Sequence, residues 1–173
     1  MDLVFVQLPL LLFTAIAPMA SGAFVGLSNA FLTADFTPDA LQRIDRWTAL
    51  PLVILAVGLA AAFMFFGSPQ STLLAFQGVD PGALTFAVVM AVVFAVAAVV
   101  YWIVAMAGVM TYGVRKAFAA AMSVLAIAYA VSIGVVYMTS GVATWASIVV
   151  PIGFAGFCLV GGVPLGTLVI AAA

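Results

Sequence analysis

The sequence contains no histidine, no glutamate and a single cysteine in 173 residues. Helix-bound haem is usually held by His pairs, iron–sulfur clusters need about four Cys, and zinc draws on His, Cys and carboxylates. None of the usual redox centres can therefore be carried by this chain, and no metal or cofactor is expected to be bound by it alone. Charge is nearly as scarce: four Lys or Arg and five Asp leave a formal net charge of −1. Nine ionisable groups make neither a basic nucleic-acid surface nor an acidic tail, so no nucleic-acid partner is expected. What fills the space is apolar: 68% of residues are hydrophobic, 5% are charged, and the mean hydropathy is +1.43. Soluble proteins carry roughly 25% charged residues. A water-soluble domain is excluded, and the lipid bilayer is the expected solvent. The lone Cys158 lies in an apolar run and reads as a small core hydrophobe.

A bilayer core needs about 20 apolar residues per helix. Apolar runs bounded by charges and by Gly/Pro punctuation predict an all-α polytopic bundle of five transmembrane spans forming a single domain over residues 1–173. The spans are placed at 3–31, 47–67, 84–112, 117–138 and 144–173, with every Asp, Arg and Lys outside them. That segregation agrees with the cost of a charge at a helix centre, roughly 2.5–3.5 kcal/mol on insertion scales. Arg43 and Arg46 fall between spans one and two, Arg115 and Lys116 between spans three and four. By the positive-inside rule these connections and the C-terminus face the cytoplasm, and the N-terminus faces outside. The expected location is the cytoplasmic membrane, crossed several times. Asp2 stands where a cleaved signal peptide has a basic region, so span one is expected to remain attached.

Local signals mark helix starts. Thr37-Pro38-Asp39 combines an N-cap, a first-turn Pro and an acid that complements the helix dipole, and predicts a helix from about Pro38 running into span two. Ser68-Pro69 repeats the cap-plus-Pro signal before Leu73, Leu74 and Phe76, which predicts a short helix at the outer interface, and Asp80-Pro81-Gly82 turns the chain into span three. Gln7, Thr14, Ser21 and Ser28 recur every seventh residue, forming one stripe expected to face protein. Gly22 and Gly26, like Gly162 and Gly166, are small-xxx-small pairs suited to close intrachain helix contact. Pro18, Pro51, Pro151 and Pro164 predict kinks.

Three segments together resemble the membrane-anchor subunits of dimethyl sulfoxide reductase-type molybdenum oxidoreductases. The first is Leu8-Pro9-Leu10 with Phe13-Thr14 and Gly22-Ala23-Phe24-Val25. The second, Gly67-Ser68-Pro69 at the outer end of span two, is similar to that family's H-x-G-x-P signature. The third runs through Thr144-Trp145, Ser147-Ile148, Pro151, Gly153-Phe154, Gly161-Gly162 and Gly166, in the order of the family's fifth helix, and marks Trp145, Pro151, Gly161, Gly162 and Gly166 as helix-packing residues.

The resemblance implies an anchor that holds a molybdopterin catalytic subunit and an iron–sulfur electron-transfer subunit at the outer face of the cytoplasmic membrane, in an anaerobic respiratory complex. It also implies menaquinol near that face. The family usually has eight spans with its N-terminus outside, whereas this chain shows five and ends in Ala171-Ala172-Ala173, as a naturally short relative or an incomplete chain would. The quinol-site outline maps onto Phe65, Gly67, Ser68, Pro69, Ser71, Asp80 and Ala87. The family's His falls on Phe65, its acid on Ala87 and its Arg on Ser71, so the outline lacks its ionisable groups. Ser68, Gln70, Ser71, Gln77 and Asp80 offer hydrogen bonds to a quinone headgroup, but a solvated loop accounts for them as well. The residues favour a structural anchor over a quinol-oxidising one. Two other readings stay open at this point: a small transporter or channel, and a membrane scaffold without redox chemistry. A transporter normally leaves an intramembrane charge as its trace, and the spans as drawn contain none.

Overall fold

A computed structural model describes the backbone of residues 2–66 and 80–173, with side chains for 8–64 and 80–173. Among the described residues every regular element is an α-helix. In chain order these are α1 (Asp2–Thr33), α2 (Pro38–Trp47), α3 (Ala49–Phe66), α4 (Pro81–Met106), α5 (Tyr112–Met138) and α6 (Val149–Ala172). Five stretches are long and apolar enough to cross a bilayer: Leu8–Thr33, Pro38–Met64, Pro81–Met106, Tyr112–Met138 and Val149–Ala172. The architecture is an all-helical membrane bundle.

Helix α2 begins where its sequence predicts. The Thr37 hydroxyl accepts from the Ala40 N–H at 3.3 Å, Pro38 fills the first turn, and Asp39 lies beside the positive end of the helix. As expected, the run continues into span two as one stretch, Pro38–Met64, with only a turn at Thr48, which keeps a helical φ of −63° and ψ of −15° and donates its N–H to the Ile44 carbonyl at 2.8 Å where α2 joins α3. Pro51 supplies the reason for the turn: it has no N–H for the Trp47 carbonyl, and its ring crowds that carbonyl.

The connections differ from the sequence reading. Helix α4 stops at Met106, and Gly108 takes the left-handed φ of +69° that the following turn requires. Helix α5 starts at Tyr112, five residues before the expected span, because Thr111 caps it through the Val114 N–H at 3.4 Å. Arg115 and Lys116 therefore lie in a helix rather than in a loop. Residues 144–148, expected to open span five, belong instead to a turn that includes Gly141 at φ +74°, and α6 starts at Val149. Pro151 thus falls in the first turn, where a missing N–H costs no helical hydrogen bond, so no kink is needed there.

Helix α1 is the hub, packing on α3, α5 and α6. In its most apolar window 50% of residues are buried, against 22% for α4, which leaves α4 mostly facing outward. Of the seventh-residue stripe, Ser21 and Ser28 are fully buried and Thr14 is half-buried, while the Gln7 side chain lies outside the described residues. The Ser21 hydroxyl donates to the Pro18 carbonyl at 2.8 Å, which lets a polar group sit in an apolar seam without an unmet donor. The centre of the bundle is aromatic. Phe24 of α1 meets Phe94 of α4 edge-on at 5.6 Å, and Phe94 stacks on Tyr129 of α5 at 5.5 Å.

Candidate functional site

The residues of the outer signature are only partly described. Gly67, Ser68, Pro69 and Ser71, together with the expected interfacial helix, lie outside the described residues, and Phe65 is placed only by its backbone in the last turn of α3. Asp80 and Ala87 are fully described. Asp80 is the N-cap of α4: its Oδ2 accepts from the Ala83 N–H at 3.0 Å, and Pro81 follows as the first helical residue. Ala87 lies one turn beyond Ala83 on the buried stripe of α4, which continues through Phe94, Ala98, Tyr101 and Ala105. Position 87 therefore presents a methyl group to the bundle interior.

The glycine pairs of α1 and α6 lie against each other. A Cβ on Gly162 would overlap the backbone of Gly22, and one on Gly26 would come within 2.8 Å of the Val163 carbonyl oxygen and 3.1 Å of the Gly166 Cα. Such approach is open only to residues without a side chain, and it lets dispersion contacts accumulate along two backbones. Gly161 faces the Met19 side chain, where an added Cβ would stand 3.0 Å from its Cγ. Cys158 is buried in the same seam with its sulfur 3.6 Å from the Ser21 hydroxyl. Pro151 packs against Gly134 of α5, which has no room for a Cβ. Trp145 lies in the turn before α6, is 43% exposed, and meets Tyr137 edge-on at 5.4 Å, while Tyr137 also stacks on Phe154.

At the other end of the bundle the structure assembles a cluster that sequence reasoning missed. Asp45 and Arg115, both expected outside the spans, are both buried and form a two-pronged ion pair: Nη1 donates to Oδ1, and Nη2 donates to Oδ2 at 2.9 Å. The guanidinium also lies 5.6 Å from the centre of the Phe31 ring. The Trp102 indole N–H donates to the Asp45 carbonyl at 3.0 Å, and the Tyr112 hydroxyl donates to the Ala34 carbonyl at 2.7 Å. Lys116 approaches Asp35 at 3.7 Å. These contacts tie the end of α1 to α2, α4 and α5. The signal was in the spacing: Asp45 shares an apolar stripe with Leu41, Ile44 and Thr48, and Arg115 opens the buried stripe Ala119, Met122, Ala126, Tyr129. A charge on the buried face of an amphipathic helix requires a partner.

This pair also corrects the expectation that no charge lies within a span. Arg115 stands in the first turn of α5 and Asp45 near the end of α2, at the bundle end, and each charge is neutralised by the other, so the pair clamps two helices together. No group of three or more His, Cys, Asp or Glu suited to a metal occurs among the described residues.

Five long apolar helices, joined among the described residues by close glycine packing and one buried ion pair, define a multi-pass helical membrane protein. The chain belongs to the DMSO reductase anchor subunit (DmsC) family, whose model matches residues 1–173. It is similar to the C subunit of the anaerobic dimethyl sulfoxide reductase of Escherichia coli (strain K12), with 27% identity over 166 residues that cover 95% of the present sequence. The chain spans 58% of the length of that curated relative. No solved structure matches it significantly.

Proposed function

We propose that this chain anchors a dimethyl sulfoxide reductase-like complex, holding an iron–sulfur subunit and a molybdopterin catalytic subunit at the outer face of the cytoplasmic membrane. The match of the anchor-subunit family over residues 1–173 carries this reading. The four cations, all on connections or helix ends at one side of the bundle, support an orientation with that side in the cytoplasm. The docking surface then falls on the opposite end, around Ser68 to Asp80 and Thr139 to Thr144. Affinity purification of the chain from mildly solubilised membranes should recover an iron–sulfur protein and a molybdopterin oxidoreductase. Recovery of the chain without either would overturn the anchor reading.

The residues do not fit a site that oxidises menaquinol. Removing protons from a quinol takes a base within hydrogen-bond reach. Position 65 is Phe, position 87 is a buried Ala, and the carboxylate of Asp80 is engaged by the first turn of α4. The role is thus to anchor and orient, with at most weak quinol binding. In membranes, quinol-dependent reduction of the partner's clusters should be slow with the natural chain and faster with Phe65→His and Ala87→Glu combined. Fast reduction by the natural chain, unchanged by Asp80→Asn, would sink this part of the reading and leave the anchor intact.

A further inference from the structure

The chain's four cations are not used alike. Arg115 is buried against Asp45, and Lys116 lies beside Asp35 with its ammonium 4.6 Å from the centre of the Tyr112 ring. Arg43 and Arg46 form no ion pair among the described residues and are exposed on α2. They share a face with Trp47, at helical spacings of four and one, and Trp47 is 46% exposed. Asp39, the only acid on that side of α2, lies in the first turn beside the positive helix end.

The rotation of α2 is set from its other face. Asp45 is held by Arg115 and, through its carbonyl, by Trp102, while Ile44 and Thr48 are buried. The clamp thereby turns Arg43 and Trp47 away from the bundle. Apolar α3 begins at Ala49, so the face lies where an apolar span gives way to water. Guanidinium groups match phosphate oxygens with paired donors. An exposed indole next to them suits the boundary between headgroups and acyl chains.

We propose that the Arg43, Arg46 and Trp47 face of α2 binds the headgroups of anionic phospholipids, making this helix a lipid-reading collar on the bundle. Charge complementarity and the position at the apolar boundary carry this assignment, independently of any partner subunit.

The full chain is reconstituted in nanodiscs of phosphatidylcholine containing phosphatidylglycerol, with bromine on the acyl chains of one lipid or the other at equal mole fraction. The emission of Trp47 is the difference between the natural chain and Trp47→Phe. Bromine on phosphatidylglycerol should quench it more than bromine on phosphatidylcholine. The enrichment should fall about fivefold for each arginine neutralised in Arg43→Gln, Arg46→Gln. It should also shrink at high salt. The charge-conserving pair Arg43→Lys, Arg46→Lys should keep most of it. Equal quenching by the two lipids, a preference that survives the Gln pair, or its loss in the Lys pair would each overturn the proposal. So would a preference that appears only when a protein partner is bound.

Discussion

The two ends of the bundle are built by different means. At the end where α1 meets α2, α4 and α5, directional polar contacts join four helices: the Asp45–Arg115 pair, the Trp102 indole on the Asp45 carbonyl, and the Tyr112 hydroxyl on the Ala34 carbonyl. At the end where α4 and α6 begin, the described residues are held by local caps and by an aromatic group of Tyr137, Trp145 and Phe154. In a membrane, apolar side chains gain little by leaving lipid for protein, so close packing and hydrogen bonds must select which helices meet. The charged end supplies that selection with a buried pair, while the α1–α6 seam does so with glycine.

Removing one member of the pair should have the largest effect. Arg115→Met leaves the Asp45 carboxylate buried without its counter-charge, a loss of about 3–5 kcal/mol. Thermal or denaturant unfolding in detergent should show it. Adding Asp45→Leu to Arg115→Met should restore much of the stability. If the double variant is no better than the single, the pair is not what holds this end.

The glycine seam should respond next. Gly162→Leu forces two backbones apart, and overpacking of a filled site typically costs about 1–3 kcal/mol. The change should destabilise the bundle more than Leu165→Ala, because Leu165 is only half-buried. Gly156 on the same helix has open space where a Cβ would stand, so Gly156→Ala should be neutral or slightly stabilising. Equal effects at positions 162 and 156 would remove the packing explanation.

Smallest should be the cap at the opposite end. Asp80→Ala removes the acceptor for the Ala83 N–H and should cost about 1 kcal/mol, with Asp80→Asn close to neutral. Accessibility separates the ends as well. With the proposed orientation, a thiol reagent added from outside should reach Val142→Cys and not Arg43→Cys. The reverse pattern would invert the topology. Arg115 is unsuitable as a reporter, since its burial blocks labelling from either side.

Much of this architecture was legible residue by residue. The Thr37 cap with Pro38, the Asp80 cap with Pro81 and the five apolar runs depend only on neighbours within a turn or two, so local chemistry determines them. The span edges were less legible. A long apolar run does not reveal that α4 stops at Met106 or that Thr111 restarts the next helix amid residues of similar hydropathy. At the positions that the family resemblance marked, the residue types showed no ionisable side chain at 65, 71 and 87, and the structure added that Asp80 caps α4.

The sequence by itself determined that the chain is a membrane bundle, roughly where it crosses, and which small residues permit close contact, because hydropathy and side-chain size are properties of each segment taken alone. Only the tertiary structure decided that Gly22 meets Gly162 and that Asp45 finds Arg115. Those contacts join residues far apart in the chain, and no segment carries in itself the identity of the helix it will lie against. The same folding turned two charges that looked solvated into a buried clamp and left Arg43 and Arg46 on the outside.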